Sequence, residues 1–312
     1  MIVCAPLLCG ALTSCFTGVE STRTVTMTRG DRKATRPSAE QTFADTLRGT
    51  PLKSWLPGKA FSIADSRASL IFEPASVAAL PSDSMLKAGT VITYAGTDIL
   101  PSASGRPVTA LRFALGPHTL RYMTGRTPEQ TDSLDSTSLP MLIDCELVSL
   151  ADRLLRGRNL WTRTMLWYDS AGERASGRRF SSVAVDSVTP GTLVFPLRVH
   201  FHETEVPADG FASAGSVLIS IGSGGGDSRP FENIFLFENP RRRYPQTTDE
   251  VWELVRRGDV RPGMTKEECR LALGNPTLTD AGQDRMRVIE LWQYPDGIFL
   301  RFEDGVLVDY RK

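Results

Sequence analysis

Between Leu193 and Phe201 every second residue is large and apolar: Leu193, Phe195, Leu197, Val199 and Phe201. Arg198, His200 and His202 fall on the other parity. Successive side chains of an extended strand point to opposite faces, so this stretch reads as a strand with one buried face. Shorter runs of the same character occur near 60–72, 90–94, 108–115, 160–168, 182–188 and 217–221, separated by Gly, Pro, Ser and Asp. Many short strands with turn signals and little helical periodicity predict an antiparallel β sandwich or barrel. That body is expected over residues 38–240, as one module or as two of about 50–150 and 151–240.

Composition narrows what such a body can do. The 312 residues carry 36 Lys+Arg against 36 Asp+Glu, a net charge of zero, so the chain lacks the basic footprint of a nucleic-acid binder. No apolar run reaches the roughly 20 residues of a spanning helix. Residues 1–12, MIVCAPLLCGAL, are uncharged and fit the apolar core of a secretory signal. Leu12-Thr13-Ser14-Cys15 follows and resembles the bacterial lipobox, in which the sulfur accepts a diacylglyceryl group and the chain is cut before the cysteine. The resemblance implies a signal peptide over 1–14, a fatty-acylated Cys15, and membrane lipid as the first partner. With two or more acyl chains the attachment is stable. Residues 15–37 read as a polar tether. Between 16 and 60 there are eight Lys or Arg and four Asp or Glu, an excess that favours an anionic surface. Ser38 and Gln41 then form a capping box for a short helix with Ala39, Phe43 and Leu47 on one side, stopped at Gly49.

Candidate chemistry is sparse. His200-Phe201-His202 places two imidazoles on one strand face, with Glu203 and Glu205 close by, a spacing that metal sites use. The pair resembles the His-x-His of cupins and supports an alternative reading as a metal-dependent envelope hydrolase. Residues 206–208 offer no carboxylate where that pattern wants one. Gly222-Ser223-Gly224-Gly225-Gly226-Asp227 lacks the third glycine and the helix start of a dinucleotide loop. Ser84-Met85-Leu86-Lys87 has no Lys-Thr-Gly partner, and no Gly-x-Ser-x-Gly elbow occurs. The expectation is a protein without catalytic residues or cofactor. Trp161, Trp167 and Tyr168 are candidate exposed aromatics for a glycan or other ligand. Arg241-Arg242-Arg243, between Pro240 and Pro245, reads as a domain connector that could also hold a phosphate. Cys145 and Cys269, the two cysteines beyond the anchor, are read as separate small hydrophobes.

The last stretch, 246–312, has the clearest local signals. Thr247-Thr248-Asp249-Glu250 opens a helix with Val251, Leu254 and Val255 on one side, closed by Gly258. Thr265 with Glu268 boxes a second, stapled by Met264 and Cys269 and ended by Leu273-Gly274 before Pro276. Three strands follow. Three-residue loops at Pro295-Asp296-Gly297 and Glu303-Asp304-Gly305 would oppose Tyr294 to Ile298, Trp292 to Leu300, Phe302 to Val306, Leu300 to Val308 and Ile298 to Tyr310, one apolar face throughout. Two-residue Asp-Gly loops would set Leu300 against Asp309. The expected module is therefore an ααβββ sandwich.

Gly263-Met264-Thr265, Leu273-Gly274-Asn275-Pro276, Trp292-Gln293-Tyr294 and Phe302-Glu303-Asp304-Gly305-Val306-Leu307, in that order, resemble the BamE-like (SmpA/OmlA) outer-membrane lipoprotein domain. The resemblance implies a non-catalytic module at the outer membrane that binds protein or lipid, often in the assembly of membrane β-barrels. It also implies a protein partner in the envelope.

Overall fold

A computed structural model describes residues 37–74, 85–102, 104–205, 213–221, 229–284, 287–295 and 297–312. The chain is mostly β and every sheet pairing among the described residues is antiparallel. It divides into two compact units, Ala34–Gly258 and a C-terminal unit Asp259–Lys312.

The larger unit holds two sheets. The first contains β1 (Ala60–Ile63), β2 (Glu73–Pro74), β3 (Val91–Pro101), β4 (Pro107–Leu115), β5 (His118–Met123) and β6 (Leu142–Asp144), in the order β2-β5-β4-β3-β1-β6. The second contains β7 (Asn159–Thr162), β8 (Leu166–Tyr168), β9 (Arg174–Ser176), β10 (Ser182–Pro190), β11 (Leu197–Glu203), β12 (Ala214–Ile219) and β13 (Phe235–Leu236), in the order β13-β7-β10-β11-β12-β8-β9. Helices α1 (Ala39–Thr46), α2 (Pro128–Asp132), α3 (Cys145–Leu155), α4 (Phe231–Ile234) and α5 (Asp249–Arg257) complete the unit.

Each sheet has its own core. Trp55, Phe61, Ile92, Leu111, Phe113 and Leu120 fill the first. The second packs Leu197, Val199, Phe201 and Val217 beneath Leu147, Val148, Ala151 and Leu155 of α3. At roughly 1.5–3 kcal/mol for each large apolar side chain removed from water, these layers hold the unit together. The two cores meet at β6: Leu142 belongs to the first and Ile143 to the second, because neighbouring strand residues face opposite ways.

Three parts of the body differ from the sequence expectation. Strand pairing near 60–72 ends at Ile63, and Ser66–Ile71 turns as a 3₁₀ helix, because the Asp65 carboxylate accepts the Arg67 N–H and closes a local turn. Residues 193–196 form the tip of the β10–β11 hairpin: Thr192 N–H donates to the Phe195 carbonyl at 2.8 Å, leaving Leu193 and Val194 exposed. Helix α3 was not expected. Asp144 caps it, its carboxylate accepting the Glu146 and Leu147 N–H groups.

The C-terminal unit contains α6 (Lys266–Leu273) and a meander of β14 (Leu278–Asp284), β15 (Arg287–Gln293), β16 (Phe299–Glu303) and β17 (Val306–Arg311). It is thus one helix on four strands, where two helices and three strands were expected. Helix α5 clusters with the body instead: Trp252 meets Phe180 edge-on at 5.7 Å, and the Arg256 carbonyl accepts the Arg179 N–H at 3.0 Å. The fourth strand, β14, pairs with β15 from Leu278–Gln293 to Asp284–Arg287.

The β15–β16 hairpin has the expected register, with Trp292 opposite Leu300 and Tyr294 N–H donating to the Ile298 carbonyl at 2.9 Å. The β16–β17 hairpin does not. Its loop is the two-residue Asp304-Gly305, with φ values of 49° and 85° that make a type I′ turn. Glu303 faces Val306, Phe302 faces Leu307 and Leu300 faces Tyr310, so the expected pairs Phe302–Val306, Leu300–Val308 and Ile298–Tyr310 are not formed. A bulge beside Arg301 and Phe302 leaves Val308 unmatched and returns the strands to register, keeping Asp309 off the apolar face. Leu300, Phe302 and Leu307 are accordingly buried.

Candidate functional site

Where the two cores of the body meet, a cleft of about 820 Å³ opens. Its floor is hydrocarbon: Phe61 of β1, Leu142 and Ile143 of β6, and Leu147 of α3, all buried. Its rim is made of exposed groups: Arg48 after α1, Ser136 and Ser138 in the loop before β6, and Leu193 and Val194 of the β10–β11 tip. Arg48 reaches Asp45 at 2.6 Å in an ion pair whose side chains are 66% and 58% exposed, so little energy fixes it there. Thr137 accepts the Leu52 N–H, which pins the loop. Ser220 also lines the cleft, and its buried Oγ has no hydrogen-bond partner among the described residues.

Asp144, at the edge of this cleft, is fully engaged. Lys59 opposite has a side chain only 2% exposed, and its Nζ sits 2.9 Å from the Asp144 carboxylate while also pairing with Glu146. The same ammonium lies over the Trp55 and Phe61 rings, 5.7 Å and 5.6 Å from their centroids. This buried cation ties β1 to the first turn of α3. A second cavity of about 620 Å³ lies alongside, lined by Cys145, Glu146 and Arg153 among others. Burial, and then the charge of Asp144, pushes the Cys145 thiol up, which makes it a poor nucleophile. Cys145 and Cys269 are both free.

His200 and His202 lie elsewhere, on the outer face of the second sheet. His200 Nε2 and Thr189 Oγ1 are hydrogen-bonded at 2.9 Å, and His202 Nδ1 meets Asp186 Oδ1 at 2.8 Å. Burial, then the charge of Arg198, holds His200 below its ordinary value against the opposing pull of Asp186, so its imidazole is neutral at pH 7. Arg198 donates to Ser216 at 3.1 Å and lies 5.4 Å over the Tyr168 ring. Glu203 turns inward, 2% exposed, to Arg178 and the Ser213 N–H. Glu205 lies 3.7 Å from Arg256. The two imidazoles are therefore bound to different neighbours, and no group of three or more His, Cys, Asp or Glu suited to a metal occurs among the described residues.

The aromatic trio is likewise dispersed. Trp167, expected to be exposed, is 3% exposed: its Nε1 donates to the Thr164 carbonyl and its ring meets Phe201 edge-on at 5.0 Å. Gly177 lies so close beneath that ring that a Cβ there would collide with it. Tyr168 lies under Arg198. Trp161 is on β7, separated from β8 by β10, β11 and β12. The three arginines of 241–243 form a 3₁₀ turn capped by Asn239. Arg241 is bound to Asp249 and stacks 5.6 Å from the Trp252 ring, fastening the start of α5. Glu40 is a buried charge the sequence reading passed over. Burial opposes its ionisation, but the Phe237 N–H at 3.1 Å, further hydrogen bonds and the charge of Arg243 hold its carboxyl below the usual range.

Cys15, the signal, the tether up to residue 36, Ser84 and the glycine-rich stretch 222–227 lie outside the described residues. No protein-family model matches the chain, and neither a search of curated proteins nor one of solved structures returns a match.

Proposed function

We propose that this chain is a lipid-anchored protein of the bacterial cell envelope that acts by binding, and that the cleft at the seam of its two sheets is the binding face. One observation carries the second half of that reading: an apolar floor meets a rim of hydroxyls and a single guanidinium, with two large apolar side chains left in water beside it. Concavity, hydrocarbon walls and a few polar groups that fix orientation are the marks of a ligand site, and about 820 Å³ falls within the usual size of one. The anchor rests on Leu12-Thr13-Ser14-Cys15 after an uncharged apolar run. In the finer form of this reading the C-terminal unit is a BamE-like module that contacts a protein of the outer membrane, with a part in assembling membrane proteins. The succession Gly263-Met264-Thr265 at a capped helix, then Gly274-Asn275-Pro276, then Trp292 on a meander strand supports it.

Expression of the full chain in a bacterial host with labelled palmitate tests the anchor. The wild type should take up label and sediment with membranes, and Cys15→Ala should do neither. An unlabelled wild type that retains Met1 and stays soluble would overturn it.

A further inference from the structure

Resting on the cleft being the binding face, we infer that its ligand is a single-chain anionic amphiphile, a long-chain carboxylate being the simplest member. Polar and apolar groups are segregated. The floor is buried hydrocarbon from Phe61, Leu142, Ile143 and Leu147, whereas the Ser136 and Ser138 hydroxyls and the one guanidinium lie on the exposed rim, with the buried Ser220 Oγ the exception. That separation matches a molecule with a polar head and an uninterrupted tail. An extended peptide fits worse, because its donors and acceptors recur at every residue and would lie against hydrocarbon without partners.

The sign of the head follows from the charges. Asp144 is the one acid lining the cleft among the described residues, and Lys59 matches its charge from within the fold. Among the described residues the partner found for Arg48 is the exposed Asp45, a contact that a carboxylate at the rim can share or replace at small cost. A guanidinium gives a carboxylate two parallel charge-assisted hydrogen bonds, and Ser136 and Ser138 line the same cleft as further donors. Leu193 and Val194, 42% and 64% exposed on a hairpin tip without charge, extend the apolar wall outward, where the tail enters.

The test uses the full chain as Cys15→Ser, delipidated, so that its own acyl groups cannot compete. Calorimetric titration with laurate below its micelle concentration should show one site. Dodecanol, with the same tail and no charge, should bind about tenfold more weakly, and acetate should not bind. Arg48→Ala should lower laurate affinity about tenfold, to the level of dodecanol, and leave dodecanol unchanged. Val194→Asp should weaken both, and His202→Ala neither. Equal affinity for laurate and dodecanol, an unaffected Arg48→Ala variant, or no laurate binding at all would overturn the inference. So would native mass spectrometry of membrane-extracted protein that shows a bound peptide. Failure of the anchor appears separately, as absent label on wild-type Cys15, and leaves these titrations valid.

Discussion

The outer face of the second sheet and the cleft beside β6 are both polar–apolar surfaces of one body, yet they are finished differently. On the sheet face each candidate group already has a neighbour: His200 holds Thr189, His202 holds Asp186, and Arg198 holds Ser216 and covers Tyr168. At the cleft, Leu193 and Val194 are exposed, and among the described residues Arg48 has one exposed partner and the Ser220 hydroxyl none. Residue types drew attention to the first surface; unmet contacts draw it to the second. A cross-strand polar face satisfied from within stabilises a sheet, whereas groups left without partners are where a ligand gains most.

The contrast can be broken in several places. Trp167→Ala should cost about 3–5 kcal/mol in guanidinium unfolding, as expected for a large core aromatic, and Gly177→Ala should be strongly destabilising through the same ring. A stable Trp167→Ala variant would return that residue to the surface. Lys59→Met should cost roughly 3 kcal/mol, because it leaves Asp144 at the seam without its cation. A loss under about 1 kcal/mol in urea would show that the seam does not depend on that pair. His200 gives a smaller, pH-dependent effect. Its folded-state affinity for protons lies below the unfolded value of 6.5, so stability is fullest above that pH and declines as the pH falls through the folded value. His200→Gln should flatten this slope in thermal melts between pH 7.5 and 5, and an unchanged slope would assign it to another group. Smallest of all, Val194→Asp should alter folding stability by no more than about 0.5 kcal/mol, since that side chain is already mostly exposed. A large loss would mean that the hairpin tip is part of the core.

What the sequence disclosed followed local rules. The alternation ending at Phe201 placed Leu197, Val199 and Phe201 inward, and the caps at Ser38 and Thr265 marked the starts of α1 and α6, whereas the box expected at Thr247 and Glu250 falls one residue before the actual α5 cap, Thr248. Helix α3 was also legible, with Asp144 before Leu147, Val148, Ala151 and Leu155 at helical spacing, but strand-like runs on either side obscured it. Other features depended on distant compensation. Leu278–Asp284 has no alternation because β14 is an edge strand. The Asp304-Gly305 turn seemed to place Asp309 against Leu300, and only the bulge removes that conflict. The cleft could not be read at all: its lining comes from five stretches, near 48, 61, 136–147, 193–196 and 220, with no spacing in common.

Hydrogen exchange on the full-length chain, with and without laurate, tests the binding account most directly. Protection should rise at residues 136–143 and 193–196 and stay unchanged at 198–202 and 186–189. Unchanged exchange at the cleft, or protection confined to the histidine face, would contradict it.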